Sequence, residues 1–176
     1  NGFLDPILFY SFFGEPVPFA SKDKLVSSLP YLKKKFLKYS DFANAQDIVS
    51  LTERTEIFET KVVVEMRSMI FIQNETGSFE GIALPLEAQL STIEDFYVEE
   101  GEVFYVGNYS GYVTELGLSL SNSGGVLSDF DGVNFKSHRS LNLSKNVEGR
   151  FIDRISKDEL IVVQNNGPAL LIREKN

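Results

Sequence analysis

Apolar residues follow two rhythms along this chain, one in the first third and another over the remainder. In the first, Leu25, Val26, Leu29, Leu32, Phe36 and Leu37 recur at helical spacing behind Ser21, a residue suited to capping a helix. Pro30 divides this stretch into two short helices, because it blocks an interior hydrogen bond but suits the first turn of a new helix. A third helix is predicted over residues 41–51, with Asp41 as cap and Phe42, Ala45, Ile48 and Val49 as its apolar stripe. Residues 21–55 therefore read as a helical insertion. Ahead of it, the run Ile7, Leu8, Phe9, Tyr10, Phe12 and Phe13 predicts a buried strand that turns at Gly14, with Pro16 and Pro18 just beyond.

From Thr60 the rhythm shortens to strands and turns. Segments rich in Val, Ile, Phe and Tyr, punctuated by Gly, Asn, Asp and Ser, predict strands at 61–66, 69–72, 79–84, 94–98, 103–106, 125–127, 135–141, 151–155, 160–163 and 169–172. Two of these landmarks repeat. Met69-Ile70-Phe71-Ile72, a turn and then Phe79 resemble Gly125-Val126-Leu127, a turn and then Phe135, an offset of 56 positions (79 to 135). Val103-Phe104-Tyr105-Val106-Gly107-Asn108 resembles Leu160-Ile161-Val162-Val163-Gln164-Asn165, an offset of 57 (108 to 165). A unit of that length holds about four short strands, the content of one β-propeller blade. Residues 60–176 are thus expected to be degenerate blade repeats, about two to three four-stranded sheets in a mainly β fold.

Composition narrows the partners. With 43% hydrophobic residues, 15 Phe and 7 Tyr, the chain can bury a core. Its formal charge of -8 disfavours a partner recognised mainly through phosphate, so no nucleic acid is expected. The basic run Lys33, Lys34, Lys35 and Lys38 reads as the solvated face of a helix. Cysteine is absent, which removes disulfides, thiol catalysis and Cys-based zinc sites. No apolar run reaches the roughly 18 residues of a membrane span, and no signal peptide is visible. The opening Asn1-Gly2-Phe3-Leu4-Asp5-Pro6 reads as the middle of a loop, so upstream blades of the same polypeptide are expected.

Several phrases carry a resemblance: Pro18-Phe19-Ala20-Ser21-Lys22-Asp23, Leu29-Pro30-Tyr31-Leu32-Lys33-Lys34-Lys35-Phe36 and Leu84-Pro85-Leu86-Glu87-Ala88-Gln89. Gly107-Asn108 followed by Gly111 and Glu115-Leu116-Gly117, and the closing Val163-Gln164-Asn165-Asn166, belong with them. In this order they resemble the C-terminal portion of FG-GAP/VCBS-repeat proteins of the ASPIC/UnbV type from Bacteroidetes. The resemblance implies a β-propeller with an inserted helical segment, exported to the cell surface or periplasm. It also implies calcium in loops where carboxylates alternate with a turn-forming Gly. Asn1-Gly2-Phe3-Leu4-Asp5 matches the second half of such a loop, giving Asn1 and Asp5 as ligands. Asp95, Glu99 and Glu102 fall near first, middle and last ligand positions of another, although Tyr97 stands where a carboxylate belongs and the loop is one residue short. Asp129, Asp131 and Gly132 match the family's hairpin turn instead.

No catalytic constellation emerges. His138 is the only histidine, and no serine lies in a Gly-x-Ser-x-Gly elbow. Glu99, Glu100 and Glu102 share a hydrophilic turn, and Glu65 and Glu115 are further acids that an enzyme acting on polysaccharide could recruit. Gly124-Gly125 is a turn signal without the Lys and Ser or Thr of a phosphate loop. The expected function is a non-enzymatic extracellular binding or scaffold module. Its ligand would be a glycan or a protein, with Tyr109 and Tyr112 stacking on it or else filling space between blades. The alternative is a glycosidase or lyase of propeller fold. Open sheet edges further predict self-association.

Overall fold

A computed structural model describes residues 6–45, 47–52, 58–112 and 117–173. The chain divides into two compact units, Asn1–Val62 and Val63–Asn176. It is mainly β, with several small antiparallel sheets, none of them closed.

The first unit begins with a hairpin of β1 (Phe9–Phe12) and β2 (Glu15–Pro18), turned by Phe13 and Gly14 at φ of 51° and 89°. The expected strand is present but not buried. Phe12 is 54% and Phe13 93% exposed, because a two-stranded ribbon has no third strand or second layer to cover both faces. The helices are α1 (Lys22–Ser28), α2 (Tyr39–Ala43) and α3 (Ile48–Thr52), with a 3-10 turn at Pro30–Lys33. Ser21 caps α1 by accepting from the Lys24 amide, and Pro30 opens the 3-10 turn as its first residue. The single helix expected at 41–51 is two. Asp41 sits inside α2 and reaches back to the Lys38 amide, while Asp47 starts α3 by accepting from the Ser50 amide at 2.6 Å. Leu25, Leu29, Leu32, Phe36, Ala45 and Leu51 form this unit's core, whereas Leu37 and Val49 of the expected stripes are exposed, at 77% and 45%.

The second unit holds the remaining strands. β3 (Met69–Gln73) and β4 (Phe79–Ala83) make one hairpin. β5 (Ile93–Glu99), β6 (Glu102–Gly107), β7 (Gly125–Phe130) and β8 (Phe135–Ser140) form a four-stranded meander in that order. β9 (Gly149–Ser156), β10 (Glu159–Gln164) and β11 (Leu170–Arg173) form a three-stranded one. The strand expected at 61–66 is absent. Those residues pair with no ladder, and Val64 and Met66 are each 91% exposed.

The strand starts keep a near-constant offset. β3, β4, β5 and β6 begin 56, 56, 56 and 57 residues before β7, β8, β9 and β10. Register explains the odd residue. In β9, Arg154 faces Leu160 and Ser156 faces Glu159, leaving Ile155 as a bulge. The corresponding stretch of β5 pairs without interruption, Val98 with Val103 and Glu99 with Glu102. A second bulge is shared. Glu94 is the unpaired residue between Ile93 and Asp95, and Arg150 the one between Gly149 and Phe151.

The meander of β5 to β8 is buried on both sides where β6 and β7 run. Phe104, Val106 and Val126 face the β9–β11 sheet, meeting Ile152, Leu160 and Val162. Tyr105 and Leu127 point the other way, under Ala88 of a 3-10 turn at Leu86–Gln89. That double burial is why β6 reads as a continuous apolar run rather than an alternating one. Full burial of each such aliphatic side chain contributes about 1.5–3 kcal/mol.

Candidate functional site

Two buried asparagines shape the loop that follows β6. Asn108 adopts φ of 85°, a region open to Asn at small cost, and is fully buried. Its Nδ2 donates to the Asn122 carbonyl at 2.6 Å and the Val147 carbonyl at 2.8 Å, and its Oδ1 accepts from the Asn122 amide at 2.8 Å. Asn122 in turn accepts from the Gly124 amide at 2.8 Å. Gly107 precedes this knot because a Cβ there would run into the Thr92 carbonyl, which already receives the Asn108 amide at 3.2 Å. The repeat partner Asn165 donates its amide to the Glu148 carbonyl at 3.1 Å in the same manner.

The knot presents Tyr109 and Tyr112. Tyr109 is held by a two-way bridge to Ser119, at 2.8 and 3.0 Å. Its ring meets Tyr112 edge to face at 4.9 Å between centroids, the favoured aromatic geometry. Gly111 lets the loop fold this closely, since a Cβ there would lie 2.5 Å from the Tyr109 hydroxyl. On Tyr109 lies the Arg150 guanidinium, 5.3 Å from the ring centroid. Arg150 pairs with Glu94 at 2.6 Å and Glu148 at 3.4 Å. The Asn165 amide, with its oxygen turned toward Arg150, accepts from Nε at 2.8 Å and Nη2 at 3.2 Å. The residues of the two equivalent bulges, Glu94 and Arg150, are therefore salt-bridged to each other. Tyr112 is 40% exposed, and the partly covered side chains of Glu94 and Arg150 lie in the same cluster. A tyrosine ring beside a guanidinium, carboxylates and an amide can stack its face on a sugar while the polar groups hydrogen-bond to hydroxyls. A setting among Gly and Ser singles out both tyrosines in the sequence but not Arg150. The signal available was a basic residue 56 positions after Glu94, where charge reverses within the repeat.

The carboxylates expected to hold calcium lie along the β5–β6 hairpin. The Asp95 carboxylate accepts from the Ile152 amide at 2.9 Å, tying the two sheets together. Glu99 is ion-paired with Arg154, and Glu102 faces Glu99 across a two-residue turn formed by Glu100 and Gly101 at φ of 48° and 83°. Glu99, Glu100 and Glu102 line a depression of about 250 Å³ together with Arg154 and Lys157. Among the described residues no three acidic or histidine side chains converge as a metal-binding group. Asn1, Asp5 and Glu115 lie outside the described residues.

The other acids serve local structure. Asp131 accepts from the Val133 and Asn134 amides at 2.9 and 2.7 Å and pairs with Lys136 at 2.7 Å, which together hold its carboxyl well below the usual range, Lys136 foremost. Glu65 is held down to about 2 by its hydrogen bonds with Arg67. His138 shares a 3.1 Å hydrogen bond with the Tyr105 hydroxyl and stacks on its ring. Burial, and secondarily the Glu87 charge, push Tyr105 up to about 12.

No family model, curated protein or solved structure matches the chain. No helix among the described residues is long and apolar enough to cross a membrane.

Proposed function

We propose that this chain is a non-enzymatic binding or scaffold module built from propeller-type repeats, recognising a glycan or a protein at the loop that carries Tyr109 and Tyr112. The observation that carries the reading is the edge-to-face tyrosine pair seated on Arg150, with Glu94, Glu148 and Asn165 around the same guanidinium. Its repeat character is supported by the recurrence of four strands at 56 to 57 residues. The β5–β8 meander is a four-stranded antiparallel sheet, the strand content of one propeller blade, which supports the propeller part of the reading. Residence at the cell surface or in the periplasm rests on the family resemblance alone, and so does calcium.

The test is a glycan array followed by titration calorimetry on any hit. Tyr112→Ala should weaken binding roughly tenfold or more, as loss of an aromatic anchor does, while leaving the melting midpoint in place. An unchanged affinity would remove Tyr112 from the site. The second reading, an enzyme acting on polysaccharide, is favoured by the acid-lined depression at Glu99, Glu100 and Glu102. Reducing-end release that is abolished by both Glu99→Gln and Glu102→Gln would establish that reading instead.

A further inference from the structure

The repeat maps one face of the second unit onto another, and that mapping shows what its open faces fit. In the packed interface between the two larger sheets, one side is Asp95, Tyr97, Phe104 and Val106 of β5 and β6. The other side is Ile152, Arg154, Leu160 and Val162 of β9 and β10. By strand register, the first set corresponds to Phe151, Asp153, Ile161 and Val163, which lie on the outward face of the β9–β11 sheet. The second set corresponds to Phe96, Val98, Val103 and Tyr105, on the opposite face of the β5–β8 sheet. Each face has an exposed apolar portion, while Asp153 is a charged member of the first and Tyr105 of the second is covered by the Leu86–Gln89 turn. Phe96 is 63% and Val98 56% exposed on one, and Phe151 45%, Val163 41% and Leu171 61% on the other. By the repeat, these two faces correspond to the two halves of an interface that the chain already forms once, and they belong to opposite sides of the same unit.

We propose that these faces join a second copy of this chain, head to tail, with the Phe151–Val163 face of one molecule on the Phe96–Val98 face of the next. Charge is compatible with the joint. Asp95 is replaced by Phe151 and Arg154 by Val98, so a hydrogen bond and an ion pair give way to apolar contact rather than to a like-charge clash. Such a joint is heterologous, and each association leaves one face of either kind open. The inference rests on the repeat reading and is independent of any ligand at Tyr112. Tyr112→Ala should therefore leave association unchanged, which separates its failure from failure of the binding proposal.

Sedimentation velocity and light scattering on the whole chain, up to about 100 μM, test the joint. The wild type should gain mass with concentration. Phe96→Glu and Val163→Glu should each weaken this roughly tenfold or more, because each breaks one face. Mixed together, the two variants should form a 1:1 dimer and nothing larger, since one variant keeps each intact face. A wild type that stays monomeric, a mixture that fails to associate, or association abolished by only one of the two substitutions would overturn the proposal. Should either variant fail to fold, Val98→Lys and Leu171→Lys probe the same two faces at other exposed positions.

Discussion

At the scale of single residues, the most constrained position is Asn108. Its side chain satisfies one donor and two acceptors that burial hides from water, and its backbone sits where most residues would be strained. Asn108→Gly keeps the backbone geometry but strands all three partners. It should cost about 3 kcal/mol, at about 1 kcal/mol per hydrogen bond, measurable by urea unfolding. A loss below about 1 kcal/mol would show that water replaces the amide. Tyr105 gives a pH signature. Its phenol ionises near 10 in the unfolded chain but near 12 when folded, so the unfolded state releases its proton first. The stabilising effect is complete below pH 10 and is lost as pH rises from 10 through 12. Tyr105→Phe should flatten the alkaline fall in stability over that window, and an unaltered curve would assign the fall to other groups. Gly125 keeps the same cluster intact, because a Cβ there would lie 2.5 Å from the Tyr105 hydroxyl and 2.6 Å from His138 Nε2.

At the scale of elements, the links between strands carry more than their positions alone. Asp95 joins β5 to β9 through the Ile152 amide. Asp95→Ala should therefore lower the melting midpoint by the same amount in EDTA and in millimolar calcium. A penalty seen only with calcium would make Asp95 a metal ligand after all. Much of this architecture was legible beforehand. The strands at 94–98, 103–106, 151–155 and 160–163 were readable because each joins a dense apolar run to a polar turn. The helical stripe was readable because Leu25, Leu29, Leu32 and Phe36 recur at one spacing and share one core. What the pattern could not reveal was partnership. Residues 61–66 have strand composition and no strand beside them, and the hairpin of β1 and β2 packs Phe9 on the helical core but leaves Tyr10, Phe12 and Phe13 exposed. The candidate site was half legible for the same reason. Tyr109 and Tyr112 stand out among Gly and Ser, whereas Arg150 reaches them only through tertiary pairing of β9 with β5.

At the scale of the molecule, the two units have separate cores, one helical and one of sheets. Residues 63–176 expressed alone should therefore give a β-type circular dichroism spectrum and a cooperative melt. A fragment that melts without cooperativity would mean that its sheets depend on the helical unit. The second unit covers part of its core by stacking the β9–β11 sheet on the β5–β8 meander. Its exposed apolar faces are those for which the chain, as described, places no neighbour.

The bulge at Ile155 has a consequence for how such a chain can change over generations. An insertion within a strand ordinarily inverts every side chain beyond it, sending core residues to solvent. Here the extra residue is shed sideways at 52% exposure, and Leu160 and Val162 remain buried, each at 0%. A hairpin that absorbs an added codon in this way can drift in length without losing its core. Repeats of this kind then keep their packing while their spacing wanders, and a search for a fixed period would lose them before their fold is lost.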